Sequence, residues 1–196
     1  MTAMTLVAAC QNVPVARQLA SESGGILLVD GRADGGEAIR GLPFVALACV
    51  TTDNLTRVGK LADVGLYLVC RRVIKTRPAP AVGRQTGVVG VFTMIANPSL
   101  GHEAADAYWR DQHAPLALSI HKAMDSYVQL SVVHRFHGPA WDGFALCGFP
   151  SLTDLKEHFY DTEEGRRAIA VDTRVFADVD RSPRRVIMNE YCQAAS

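Results

Sequence analysis

The order strand, helix, strand, strand, helix, strand occurs twice along the sequence, on either side of a proline-rich stretch. That order is the split βαβ pattern and predicts an α+β fold of two ferredoxin-like halves. Three observations carry it: short apolar runs of strand length, helices with clear start signals between them, and the break at Lys75–Thr86. We therefore divide the chain into a first half at residues 1–75, a linker at 76–86 and a second half at 87–196.

In the first half, Met4–Cys10 is an apolar run of strand length. Asn12 is placed to cap a helix from Val13-Pro14 to about Ser23, with Pro14 tolerated in the first turn. Gly24-Gly25 ends it, and Ile26–Val29 is the second strand. Asp30–Gly41, with its glycines, reads as a loop, and it lacks the spacing of a dinucleotide-binding turn. Pro43–Val50 is a third strand. Asp53 or Asn54 caps a helix with Leu55, Val58, Leu61 and Ala62 on one face, and Leu66–Ile74 is the fourth strand. This half is expected to be mainly scaffold.

In the second half the strands are Val88–Ala96, Tyr127–Arg135, Gly143–Phe149 and Arg185–Tyr191. Ser151 opens one helix and about Glu163–Phe176 forms another. The most informative helix is Gly101–His113, where Ala105, Trp109 and His113 fall at four-residue steps and share a face. Pro115 disfavours an α conformation at Ala114, so the helix should end near His113. A histidine at a helix C-terminus meets unpaired carbonyls and the negative end of the dipole, which favours its protonated form. It is then either a proton donor or only a cap.

Alternation along Tyr127–Arg135 separates Val128, Leu130 and Val132 from Tyr127, Gln129, Ser131 and Val133. We expect the wholly apolar row to pack on helices and the polar row to line a ligand-receiving interior. The alternative is a buried hydrogen-bond network that binds nothing.

Composition excludes several classes. The 196 residues carry 20 Lys plus Arg and 20 Asp plus Glu, so nothing in the charge suggests nucleic acid or an anionic membrane. No apolar run reaches bilayer length, and Met1–Cys10 lacks a signal peptide's basic start. Cys10, Cys49, Cys70, Cys147 and Cys192 form no Cys-x-x-Cys pair, and several sit in apolar runs. We expect them reduced, in a cytoplasmic protein. No metal motif or nucleophile elbow is present, so no metal and no cofactor are expected. His102, His137 and His158 sit at a helix start, in a turn and late in a helix.

The run Tyr108-Trp109-Arg110-Asp111-Gln112-His113-Ala114-Pro115-Leu116 resembles the signature of the EthD-domain family. Tyr127-Val128-Gln129 and Gly165-Arg166-Arg167-Ala168, running into Asp172 and Phe176, fit the same pattern, and the resemblance spans roughly residues 87–191. It implies the dimeric α/β-barrel superfamily, in which two antiparallel sheets pair face to face into a barrel. With both halves in one chain, that pairing would be internal, and the product could still form a homodimer. The resemblance further implies a cofactor-independent enzyme acting on a small apolar cyclic or aromatic compound. A lyase, dehydratase or isomerase is expected, with a cofactorless monooxygenase or a non-catalytic binder as alternatives. In that scheme His113 is the acid/base, with Tyr127, Asp111 and His121 as further catalytic candidates. Tyr108, Trp109, Gln129, Ser131 and His134 would line the substrate site.

Overall fold

The computed structural model describes residues 2–77 and 81–194. Its first half contains β1 (Thr2–Cys10), α1 (Val13–Glu22), β2 (Ile26–Asp30), α2 (Gly31–Asp34), β3 (Ala46–Val50), α3 (Leu55–Leu61) and β4 (Gly65–Lys75). After β5 (Gly83–Arg84), the second half contains β6 (Val88–Met94), α4 (Gly101–Tyr108), a π turn (Trp109–His113) and α5 (Ala114–Ile120). It continues with β7 (Ser126–His137), β8 (Gly143–Phe149), α6 (Leu152–Glu157), α7 (Glu163–Phe176) and β9 (Val186–Cys192). The third strand is shorter than expected: it begins at Ala46, with Val45 just before it still bonded to Cys10 and Asp30 through its backbone. The expected loop after β2 opens with a one-turn helix, whose first amides bond the Asp30 side chain. Pro78, Ala79 and Pro80 of the expected linker lie outside the described residues; beyond them, Gly83 and Arg84 pair with β9.

Eight strands close into an antiparallel barrel in the order β2-β3-β1-β4-β7-β8-β6-β9, with β2 returning to β9. Residues 1–75 and 87–196 supply four strands each, and the two sets join at two seams. One is β4–β7, from Leu66 opposite His137 to Lys75 opposite Tyr127. The other is β2–β9, from Ile26 opposite Cys192 to Asp30 opposite Met188.

One apolar cluster draws a residue from each of the eight strands, which only a barrel interior can do: Val7, Leu28, Leu47, Val69, Val89, Leu130, Leu146 and Met188 belong to it. Phe44, Tyr67, Trp141 and Phe144 plug one end, with Tyr67 and Trp141 stacked at 5.7 Å between centroids. At the other end a cavity of only about 30 Å³ remains, room for about one water. The expected interior pocket is therefore absent among the described residues.

The parity expectation for β7 is reversed. Leu130 and Val132 face the interior with Val128 packed beside them, whereas Tyr127 joins the cluster beneath α5. In a barrel with helices outside, both faces of a strand are buried, so alternation alone does not say which row points in. The apolar row goes to the side that offers no hydrogen-bond partners.

The five cysteines are free. Burial pushes the thiols of Cys10, Cys49 and Cys147 up to about 12, so they act as small apolar side chains. No described helix is long and apolar enough to cross a membrane.

Candidate functional site

The candidate site lies outside the barrel, where α4, the π turn, α5 and α7 cover β4, β7 and β8. The helix expected to stop at His113 continues to Ile120, because Ala114 keeps helical dihedrals of −60° and −45°. Proline has no amide hydrogen, and its ring crowds the carbonyl four residues earlier. Here the turn before Pro115 is widened instead of broken: the Ala114 amide donates to the Trp109 carbonyl, five residues back. Such one-turn π segments recur at functional sites. His113 is therefore mid-helix, and the helix-end dipole argument does not apply to it.

The four-residue face survives the π turn, with Ala105, Trp109 and His113 all buried. Phe176 of α7 lies against this face. Its ring stacks with Trp109 at 6.3 Å and with Tyr108 at 6.0 Å, and the His113 ring is 4.8 Å away. Trp109 can lie flat on β8 because residue 143 is glycine. A Cβ there would come within 2.7 Å of the indole.

Two polar groups are set into this layer. In the first, Asp172 of α7 holds both ends of the turn. His113 Nδ1 is 2.5 Å from Oδ2, and the Tyr108 hydroxyl donates to Oδ1 at 3.0 Å. Burial pushes the Asp172 carboxyl up, but the hydrogen bonds from His113 and Tyr108 outweigh it, so the group is held below its ordinary value. The same carboxylate raises the Tyr108 phenol, first through that hydrogen bond and then through burial. Among the described residues His113 Nε2 has no hydrogen-bond partner.

In the second group, the Tyr127 hydroxyl accepts from Trp109 Nε1 and Gln129 Nε2, both at 3.0 Å. Gln129 also donates to the Trp109 carbonyl at 3.0 Å, on the oxygen that closes the π turn. Burial pushes the Tyr127 phenol far up, so it keeps its proton. Arg72 reaches in from β4, pairs with Asp106 of α4 and lies 5.7 Å from the Trp109 ring. Gln129 Oε1 and Arg72 Nε are buried without a partner.

The structure thus gathers Tyr108, Trp109, His113, Tyr127 and Gln129. It does not gather the other candidates. Asp111 is exposed and bonded to its neighbour Arg110, because residues two apart on a helix face different directions. His121 caps α5, with Nδ1 2.6 Å from the Phe159 carbonyl, and burial pushes its pKa down against that bond. Ser131 is buried further along β7 and makes no side-chain hydrogen bond among the described residues. His134 is exposed at the strand's end, against Phe136. Sequence reasoning missed Asp172 and Arg72 as members. Asp172 had a usable signal, since it stands four residues before Phe176 and so shares its helix face. Arg72 had none, because it comes from the other half.

Five concavities stand out among the described residues, and neither His113 nor Tyr127 lines any of them. The largest, 630 Å³, lies beside α3 in the first half. Two of about 460 and 450 Å³ flank α6. No group of three or more His, Cys, Asp or Glu among the described residues is placed to hold a metal ion.

Residues 97–180 match the family model described as the EthD domain. A solved structure titled "Crystal structure study of anthrone oxidase-like protein" superposes with a TM-score of 0.57 at 10% identity, over 96% of this chain and 90% of that one. At that identity the likeness is one of fold. No curated protein sequence matches the chain.

Proposed function

We propose that this chain, whose second half carries an EthD domain, is a cofactor-independent enzyme that moves a proton on a small apolar cyclic or aromatic compound. The His113–Asp172 contact carries the reading. With Nδ1–H donated to Asp172, Nε2 is left as a base and the ring is held in one orientation. Nε2 would take a proton from a carbon next to a carbonyl, and the electron pair would move onto that oxygen. Tyr127 would donate to the resulting enolate or phenolate, because its own proton is not used by Trp109 or Gln129. This step begins an isomerisation, a dehydration or a cofactorless oxidation alike. We favour isomerase or lyase chemistry, in which His113 returns the proton elsewhere or helps expel water. The neighbour's title, anthrone oxidase-like, keeps the oxidation in view.

The ferredoxin-like reading of each half belongs to the same proposal. It is supported by the matching strand orders β4-β1-β3-β2 and β9-β6-β8-β7. A homodimer of closed barrels also belongs to it. A single 21.2 kDa species in sedimentation would overturn that part.

One observation favours a second reading: His113 lines none of the five concavities described above, which suits a binder in which the His113–Asp172 pair only clamps two helices. The test is proton exchange. Aromatic ketones with an acidic C–H, anthrone among them, are incubated with protein in deuterated water and followed by NMR. Wild type should accelerate exchange, and His113→Gln should lower it by roughly 10²–10⁴-fold with an unchanged melting curve. Undiminished exchange in folded His113→Gln protein removes His113 from the mechanism. Loss of folding together with activity marks it as a clamp.

A further inference from the structure

We propose that the groove at the β2–β9 seam is a binding site for a small apolar carboxylate, separate from the His113 site. The groove has a volume of about 450 Å³, and both halves build it. Asp30, Arg32 and Leu42 come from the first half; Leu152 and Lys156 of α6, with Arg185 to Ile187, come from the second. The volume suits a compact ring system.

Its charge is unbalanced. Asp30 is already committed: its side chain accepts from the Arg32 and Ala33 amides at 3.0 and 3.4 Å and meets Arg32 Nε at 3.4 Å. Lys156 and Arg185 make no ion pair among the described residues. This sets Arg185 apart from Arg72 and Arg77, which are each held by a carboxylate. The Arg185 guanidinium rests instead on two phenyl rings, 5.7 Å from Phe92 and 5.6 Å from Phe159. Burial pushes its pKa down, as befits a partly desolvated cation without an anion. Lys156 and Arg185, on different elements, thus both line the groove, and Asp30 is the one carboxylate among its lining residues.

The rest of the wall is apolar. Leu42, Val186 and Ile187 line it, and Leu152 at its edge is 43% exposed. An isolated ion would leave this surface wet, and a neutral hydrocarbon would leave the cations unanswered. An apolar body with one carboxylate satisfies both. The adjoining concavity shares Lys156 and Arg185 but has no cationic excess, because Glu157, Asp161 and Glu163 line it together with Arg166.

The test uses a matched pair, 2-naphthoate and its neutral amide, titrated into the full chain by calorimetry. Naphthoate should bind at least about tenfold more tightly than the amide, the size of one charge-assisted hydrogen bond. Lys156→Gln, at an exposed position where folding is not at stake, should remove about that factor for naphthoate and leave the amide unchanged. Arg185→Gln should do the same, and Leu152→Ser should weaken both ligands. Equal binding of the two ligands overturns the proposal, as does naphthoate affinity indifferent to Lys156→Gln and Arg185→Gln. Inorganic phosphate competing as well as naphthoate would also overturn it, by showing a site for bare anions.

Discussion

Arg72 and Gln129 stand opposite one another across the β4–β7 seam, and both side chains are buried under α4. The first half thus reaches into the helix layer of the second, with Arg72 paired to Asp106 and lying beside the Trp109 ring. β4 thereby helps to hold the helix that carries Trp109.

Arg72→Met should leave Asp106 facing a space it cannot satisfy. Removing one partner of a buried pair is costly, and the partial exposure of Asp106, at 21%, moderates it. We expect a loss of roughly 2–3 kcal/mol in urea unfolding. Adding Asp106→Leu should restore about half of that loss. Strictly additive effects would show that the pair is not coupled.

Gly143→Ala should drive a methyl group into the indole, since a Cβ would lie 2.7 Å from Trp109 Cζ3 and 3.2 Å from the Leu130 carbonyl. Such overpacking costs roughly 1–3 kcal/mol. Phenylalanine lacks the outer atoms of the indole, so Trp109→Phe with Gly143→Ala should lose less than the sum of the two single changes. Melting curves of the three variants check this.

His121 gives the fold a pH dependence of definite sign. Burial holds its folded pKa below the ordinary 6.5, opposed by the bond to Phe159. Unfolding therefore takes up a proton between the two values. Its contribution is complete above about pH 6.5, declines as pH falls towards the folded value and is level below that. Asparagine can keep a donor on the Phe159 carbonyl without titrating. His121→Asn should flatten this part of the stability profile relative to wild type. An unchanged slope would place the titration in another group; His102 is not that group, because its bond to Asp142 raises its pKa and so gives a slope of opposite sign.

The element order was legible because strands and helices are short and well punctuated here. Asn12 does cap α1, accepting from the Val15 amide, and Ser151 does open α6. The face shared by Trp109 and His113 followed from helical spacing. Two things were hidden. Pro115 implies a break only if the preceding turn is α, and a π turn absorbs it. The orientation of β7 depends on which side supplies donors, and that is decided by Trp109 and Gln129 meeting Tyr127 in three dimensions. The Asp172 partner of His113 lies 59 positions away, so its spacing to Phe176 marks a shared helix face but does not tie it to His113.

Closing the barrel through its own two seams has a consequence for how the protein behaves in dilute solution. A barrel shared between chains comes apart as concentration falls, whereas here the two halves remain at a fixed effective concentration set by the tether. Each of the eight strands also has a neighbour on both sides, so the barrel offers no open ladder on which another chain's strand could grow.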